Sequence, residues 1–141
     1  MTNRKLAAVV DGQDALIVAP ERTIQETCRR MWARRVGAAM VADRTQRLIG
    51  IFTGRDAVRA LAEGHDPSIT PLSAVMTREP RTLTPDRTAL DALREMCDGG
   101  FRHMPVVSAA GLVLGIVSRG DFKGLELDQL ETEDGLWAQV G

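Results

Sequence analysis

The sequence is short of the residues and segments that mark several classes of protein. Its 141 residues include two cysteines, Cys28 and Cys97, and two histidines, and no spacing among them is typical of a metal site. No apolar run approaches the roughly 20 residues that span a bilayer. The N-terminal residues are polar, and the apolar stretch after them is too short for a signal peptide. We therefore expect a cytoplasmic protein with reduced thiols and no membrane partner.

A strong charge of either sign is also lacking, because the net formal charge is only −1. The segment after Lys123 is acidic and has no basic residue, which leaves a mild positive surplus over the rest of the chain. Lysine is scarce: only Lys5 and Lys123 occur among 18 basic residues, and the others are arginines. Arginine favours bidentate contact with phosphate or carboxylate. The surplus is compatible with a small phosphorylated ligand but is too weak to predict a nucleic-acid partner.

What the chain does contain is one unit that occurs twice, 65 residues apart and without a gap, over residues 19–56 and 84–121. Two copies are too few for a solenoid, and one unit is too small to bury a good core alone. The repeat therefore predicts a pseudo-twofold pair in which each unit is completed by the other. The matched pairs include Pro20 with Pro85, Met31 with Met96, Gly50 with Gly115, Ile51 with Ile116, Thr53 with Ser118, and Asp56 with Asp121.

Helical spacing of apolar residues predicts a helix near the start of each unit, around Ile24 in one and Ala89 in the other. Thr23-x-x-Glu26 predicts a capping box, and Thr88-x-x-Asp91 predicts a weaker version of it. Both helices are expected to end near glycine, at Gly37 in the first unit and at Gly99-Gly100 in the second.

Two short apolar runs separated by turn residues follow each helix and predict a hairpin. A second helix is expected after Asp56. Each unit is therefore about βαββα, and the fold class is α/β, or α+β by stricter accounting. Residues on the apolar phase of the matched elements are expected to be mostly buried: Met31, Val41, Ile51, Phe52, Leu93, Met96, Val106, Ile116 and Val117.

These elements divide the chain into three predicted parts. The first repeat covers residues 6–66, and the second covers residues 67–124 with a linker over 67–84. An acidic tail follows over residues 125–141 and mixes acidic with apolar side chains. Docking of the tail on the body, docking on a second subunit and fraying all remain open.

The (Thr/Ser)-x-x-Asp motif at the end of each hairpin is the place where chemistry is expected. A helix N-terminus carries partial positive charge and therefore binds an anion. The Thr or Ser hydroxyl can donate a hydrogen bond to a phosphate, and the carboxylate one turn later can accept hydrogen bonds from a ribose diol. Arginine beside the motif matches phosphate geometry. The same spacing is equally that of a helix N-cap with its acid at the third position. Neither interpretation is excluded by the residues alone.

The doubled motif resembles the cystathionine-β-synthase (CBS) domain pair, or Bateman module. The strings that carry the resemblance extend over nearly the whole chain: Gly50-Ile51-Phe52-Thr53-Gly54-Arg55-Asp56, Gly115-Ile116-Val117-Ser118-Arg119-Gly120-Asp121, Arg102-His103-Met104-Pro105-Val106-Val107 and Val75-Met76-Thr77. The resemblance implies two repeats about a pseudo-twofold axis and a homodimer in which four repeats form a flat disc. Burial of Trp32 and Phe101 would fit such a disc.

The resemblance also implies a ligand, an adenine nucleotide or other adenosyl compound such as AMP, ADP, ATP or NAD. In this family the aspartate of the motif would bind the ribose, and the Thr or Ser hydroxyl would bind the phosphate. Apolar residues would contact the purine. The residues implied in the first repeat are Ile17, Ala38, Ala39, Met40, Thr53, Arg55 and Asp56. Those implied in the second repeat are Thr82, His103, Met104, Pro105, Ser118, Arg119 and Asp121. The first repeat departs from the family pattern, because Ala38-Ala39-Met40 lacks the histidine and proline of the second.

We therefore expect a non-catalytic sensor that needs no cofactor and reports its ligand to a separate, unidentified effector protein. One alternative is a structural dimerisation module with empty clefts. Another is a nucleotide-processing enzyme, for which Asp56, Asp121 and His103 are the nearby candidates. A lone histidine such as His103 is more often structural than catalytic, and His65 lies in a turn where solvation is the plain interpretation.

Overall fold

The structure is a computed structural model and describes residues 3–121; the predicted acidic tail lies outside the described residues. The helices are α1 (Leu6–Val10), α2 (Ile24–Arg34), α3 (Gly54–Ala62) and α4 (Ala89–Gly99). The strands are β1 (Ile17–Val18), β2 (Ala38–Ala42), β3 (Leu48–Thr53), β4 (Thr77–Arg78), β5 (His103–Val107) and β6 (Val113–Ser118). Short 3-10 turns occupy Leu72–Ala74 and Arg119–Asp121.

The strands form two sheets, one for each repeat. The first sheet has the order β1-β2-β3-β4, with β1 parallel to β2 and the other pairs antiparallel. The second sheet is the antiparallel pair β5-β6, extended by a parallel bridge from Leu83 to Val106. Both predicted hairpins are confirmed. The predicted α/β class, or α+β by stricter accounting, is also confirmed.

The two hairpins meet at their turns, where the pseudo-twofold axis passes. Arg47 and Leu112, which are 65 residues apart, form an antiparallel bridge. On either side of it, Leu48 N donates to Gly111 O at 3.1 Å and Val113 N donates to Gln46 O at 3.0 Å. These two bonds are exchanged by a shift of 65 residues. The predicted pseudo-twofold arrangement is therefore present at the level of individual backbone bonds.

Each repeat is completed by the segment that precedes the other repeat. Leu6 N donates to Arg87 O at 2.8 Å, which attaches α1 to the second repeat. Leu72 N donates to Arg22 O at 2.8 Å, which attaches the segment between the repeats to the first. Leu6 and Leu72 are both fully buried in the core of the repeat that receives them. This exchange joins the two units into one body.

Each repeat has its own apolar core, with Phe52 at the centre of one and Met104 in the other, both fully buried. Of the nine residues expected to be buried, eight are, and only Ile116 is partly exposed. The reason is local. In the first repeat, strand β4 pairs with β3 at Ile51, the counterpart of Ile116. At Ile116 the partner is instead the Gln13 side chain, which accepts from the Ile116 N–H at 2.7 Å and donates to its carbonyl at 2.8 Å.

The helix termini correct two expectations. Thr88 and Asp91 form a complete capping box, whereas Thr23 caps Glu26 N without the reciprocal bond. The Glu26 carboxylate instead accepts from Arg22 at 3.2 Å, because its longer side chain reaches the preceding turn. Helix α2 ends at Arg34, and its C-cap is Arg35, a non-glycine in the left-handed region with φ of 54°, two residues before Gly37.

Candidate functional site

The first (Thr/Ser)-x-x-Asp motif lies where β3 passes directly into α3. Thr53 is the N-cap of α3, and its Oγ1 accepts from Asp56 N at 3.2 Å. Asp56 Oδ2 accepts in return from Thr53 N at 3.0 Å. The motif therefore forms a complete capping box, and the N-cap interpretation describes its geometry in the first repeat.

Asp56 also makes bonds that a capping box does not require. Its carboxylate is only 6% exposed, and Oδ1 accepts from Arg59 Nη2 and from Thr77 Oγ1, each at 3.1 Å. Both carboxylate oxygens are thus already bonded within the protein. A buried carboxylate with this many partners stabilises the turn, and a ribose diol would have to replace one of them.

The second motif leaves its acid more accessible. Asp121 Oδ2 accepts from Ser118 N at 2.7 Å and from Ser118 Oγ at 3.1 Å. Asp121 is exposed, and Oδ1 receives no hydrogen bond from the residues that the structure describes. Arg119 donates to Cys97 Sγ at 3.2 Å and turns its side chain towards α4. One carboxylate oxygen of the second motif therefore has no hydrogen-bond partner among residues 3–121.

A cleft of about 1010 Å³ opens between the repeats beside the first motif. Thr53, Arg55 and Asp56 line it from the first repeat. Arg102 and His103 line it from the second repeat, and the segment between the repeats supplies the third wall, with Glu79, Pro80 and Arg81. The site is therefore shared between the repeats rather than enclosed by one of them.

The charge in this cleft is carried by four arginines and two carboxylates. Arg59 is paired with Asp56 at 3.1 Å, and Arg81 is paired with Glu95 outside the cleft. Arg55 and Arg102 are exposed, and neither side chain has a hydrogen-bond or ion-pair partner among residues 3–121. Two guanidinium groups from opposite repeats are thus available to an anion.

His103 lies where the repeats touch. A Cβ atom added to Gly37 would come within 3.2 Å of its ring atoms Cε1 and Nε2, so any larger residue there would displace the imidazole by a few tenths of an ångström. Burial lowers the pKa of His103, the Arg102 charge lowers it further, and the Asp121 charge opposes both. The imidazole is therefore neutral at pH 7, and it can accept or donate a hydrogen bond at the edge of the cleft.

Comparison with known proteins decides the family, because the CBS-domain model matches residues 6–63 and again residues 72–127. The chain belongs to the CBS-domain family. YhcV from Bacillus subtilis, a CBS domain-containing protein, is 38% identical over 117 residues, which cover 82% of this chain and 79% of YhcV. CBSCBSPB3 from Arabidopsis thaliana is 48% identical over 94 residues, 66% of this chain. The match covers 17% of CBSCBSPB3, so the chain spans less than a fifth of that relative.

Solved CBS structures have the same fold. The CBS protein PAE2072 from Pyrobaculum aerophilum, complexed with AMP, superposes with a TM-score of 0.81 at 24% identity and covers 91% of this chain and 98% of that one. The CBS pair of MJ0100, in complex with 5′-methylthioadenosine and S-adenosylmethionine, has a TM-score of 0.76 at 20% identity, covering 94% and 98%. At these identities the likeness concerns the fold.

Only some of the ligand-binding residues that the sequence predicted in the two CBS repeats line the cleft. Ala39, Met40 and Met104 are fully buried in or beside the cores, and Ala38 and Pro105 are buried with them. Ile17 lies on β1, whereas Thr82 lies on no strand and precedes Leu83, which forms only an isolated bridge to Val106. Neither residue lines this cleft, and Ser118, Arg119 and Asp121 of the second motif do not line it either.

Sequence reasoning missed the contribution of Arg59, Thr77, Glu79 and Pro80 to this cleft. It grouped each set within one CBS repeat, whereas the cleft combines the motif of one repeat with the strand start of the other. The Arg102-His103 sequence already indicated that these two residues belong to a binding site. Their position opposite the motif of the first repeat follows only from the pseudo-twofold docking.

Two further observations concern other kinds of site. Within residues 3–121, histidine, cysteine and acidic side chains nowhere gather in a group of three that could hold a metal ion. The helices in the same part of the chain are all too short or too polar to cross a membrane.

Proposed function

We propose that this chain is a regulatory module that binds an adenosyl ligand between its CBS repeats and catalyses no reaction of its own. The observation that carries the proposal is the cleft itself. It joins a strand–helix turn of one repeat to a histidine and an arginine of the other, and it is lined by Arg55 and Arg102, whose guanidinium groups have no partner among residues 3–121. The adenosyl ligands of PAE2072 and MJ0100 support this class of ligand.

The chemistry of the walls divides between the parts of such a ligand. Arg55, at the start of α3, and Arg102 are placed to contact phosphate. Ile51, Pro80 and Phe101 supply apolar surface for the base. Ala39, Met40 and Met104, which the family resemblance implied for this contact, cannot reach the base because they have no exposed surface.

The second motif is proposed to hold another adenosyl ligand through Asp121 and Ser118. Its exposed carboxylate has an oxygen for the ribose diol, unlike Asp56. Ligand in the cleft beside the first motif would contact both repeats and alter how they dock. Coupling of this kind provides about 1–3 kcal/mol, which is enough to change the affinity for a separate effector protein.

We further propose that two chains form a homodimer through the outer faces of α2 and α3. Trp32 on α2 is 86% exposed, and Val58 and Leu61 on α3 are 68% and 59% exposed. Apolar side chains of this size, grouped on a pair of adjacent helices, are unusual on a monomer and favour a partner. A second copy would cover them.

One observation favours a second candidate, a structural module with empty clefts. Asp56 is saturated by bonds from Thr53, Arg59 and Thr77, as expected of a purely structural cap. The two candidates differ in equilibrium binding, because a structural module gains no stability from nucleotides.

Differential scanning fluorimetry of the full chain tests the proposal. We expect a concentration-dependent rise in Tm with at least one of adenosine, AMP, ADP, ATP, NAD and S-adenosylmethionine, since a ligand that binds only the folded state stabilises it. Guanosine phosphates are the matched controls. An unchanged Tm with all six favours the structural module, and products formed from ATP would indicate an enzyme instead.

A further inference from the structure

Two of the four arginines that line this cleft have no side-chain partner among residues 3–121. Arg59 is bonded to Asp56 and to Val75 O, and Arg81 is paired with Glu95. Arg55 and Arg102 line the same cleft from opposite repeats without such bonds to the described part of the chain. No carboxylate among residues 3–121 therefore forms an ion pair with either guanidinium group.

The carboxylates of the cleft do not neutralise these two groups. Asp56 is buried and already accepts from Thr53, Arg59 and Thr77. Glu79 is exposed on the wall between the repeats, on a backbone held at φ of 47°. A non-glycine residue in this region is uncommon and is held there by its surroundings. Glu79 is thus the exposed carboxylate of this cleft, and its charge opposes the binding of an anion.

We propose that this cleft selects its adenosyl ligand by the charge of the 5′ substituent, and this rests on the proposed function above. Adenosine carrying a diphosphate or triphosphate is favoured, with Arg55 and Arg102 contacting the phosphates from the two repeats. An adenosyl sulfonium such as S-adenosylmethionine is disfavoured, because its positive sulfur would face the guanidinium groups of Arg55 and Arg102. Glu79 acts in the opposite direction to the arginines.

The phosphate and the ribose of the ligand would gain unequally from contacts in this cleft. Arginine binds phosphate through paired, charge-assisted hydrogen bonds, which are stronger than bonds between neutral groups. Ribose gains little here, because the Asp56 oxygens are already occupied. Adenosine is common to all the candidate ligands, so the 5′ substituent decides which one binds.

Isothermal titration calorimetry of the full chain tests this with adenosine, AMP, ADP, ATP and S-adenosylmethionine, with EDTA present so that ATP keeps its charge. We expect affinity to rise from adenosine to ATP and to be lowest for S-adenosylmethionine. Arg55→Gln and Arg102→Gln should each weaken ATP binding on the order of tenfold and leave adenosine unchanged. Glu79→Gln should strengthen ATP binding. Arg29→Gln, on α2 outside the cleft, is the matched control and should behave as the parent.

The outcomes separate this proposal from the one on which it rests. Equal affinities for adenosine, ATP and S-adenosylmethionine would overturn selection by charge and leave adenosyl binding standing. Equal losses for adenosine and ATP in Arg55→Gln and Arg102→Gln would also overturn it, because the arginines would then act through structure. Binding of no adenosyl ligand would overturn both proposals.

Discussion

Thr77 donates a hydrogen bond to Asp56 at 3.1 Å, and this bond fastens the segment between the repeats to the strand–helix turn of the first repeat. The second motif has no counterpart among the described residues, since the Asp121 carboxylate is bonded to Ser118 alone. Two motifs with the same spacing therefore have different roles: the acid of the first is part of the buried structure, and the acid of the second is open to solvent.

This difference predicts that removing the two acids has unequal effects on stability. Asp56→Ala should lower the free energy of unfolding by about 1.5–3 kcal/mol, because hydrogen bonds to a buried charge are lost and their donors are left unsatisfied. Asp121→Ala should change it much less, because Asp121 is exposed. Urea unfolding of the two variants beside the parent measures both. Equal losses would contradict the assignment.

Removing the acid of the second motif should weaken ligand binding, although it has little effect on stability. Asp121→Ala removes the acceptor for the ribose diol, so affinity for an adenosine phosphate should fall on the order of 10- to 100-fold, from about 1.5–3 kcal/mol per charged hydrogen bond. Calorimetry on Asp121→Ala and Ser118→Ala measures it. If both variants melt early yet bind nucleotide as the parent does, the second motif is only a cap.

His103 predicts a pH dependence of stability. Burial holds its pKa below the ordinary value of 6.5, so the unfolded chain takes up a proton at higher pH than the folded one. Stability is therefore complete above pH 6.5 and falls as the pH drops from there through the lowered pKa of the folded state. The facing charges are Arg102, which acts in the same direction, and Asp121, which opposes it. Comparison of Tm against pH for the parent and His103→Gln checks this; a variant with the same slope would contradict it.

The exposed apolar residues predict an effect on assembly. Trp32→Glu and Leu61→Glu should convert a species of twice the chain mass into a monomer, because each places a charge in the proposed helix interface. Sedimentation equilibrium at micromolar concentration measures the mass. Ile69→Glu is the control, since Ile69 is equally exposed, at 74%, but lies outside α2 and α3. A parent that is monomeric over a wide concentration range would contradict the homodimer.

The exchange of segments predicts that α1 stabilises the second repeat. Leu6→Ala removes a fully buried side chain from the core that contains Leu93 and Met104, at a cost of about 2–5 kcal/mol. Ala7 lies next to it on α1 and is exposed, so Ala7→Ser should be nearly neutral. Hydrogen exchange of β5 and β6 amides should accelerate in Leu6→Ala. Unchanged protection there would contradict the packing of α1 on this sheet.

Local patterns were sufficient to predict the helices, hairpins and most of the buried residues. Ile24 and Met31 share a helix face, and Val41 and Phe52 lie on paired strands, because both periodicities are properties of the chain over a few residues. The pairing of Thr53 with Asp56 was foreseen for the same reason, since a cap and its acid are three residues apart. Glu26 shows the limit even at this range, because a neighbouring arginine competes for its carboxylate.

The partners of the motif acids and the walls of the cleft depended on tertiary structure. Thr77 reaches Asp56, and His103 rests on Gly37, only because the repeats dock about a pseudo-twofold axis and exchange their leading segments. Spacing along the chain carries no information about such contacts, which join residues 21 and 66 positions apart. Repetition in the sequence therefore determined that there would be two equivalent turns, and docking decided that one acid would be buried and the other left open.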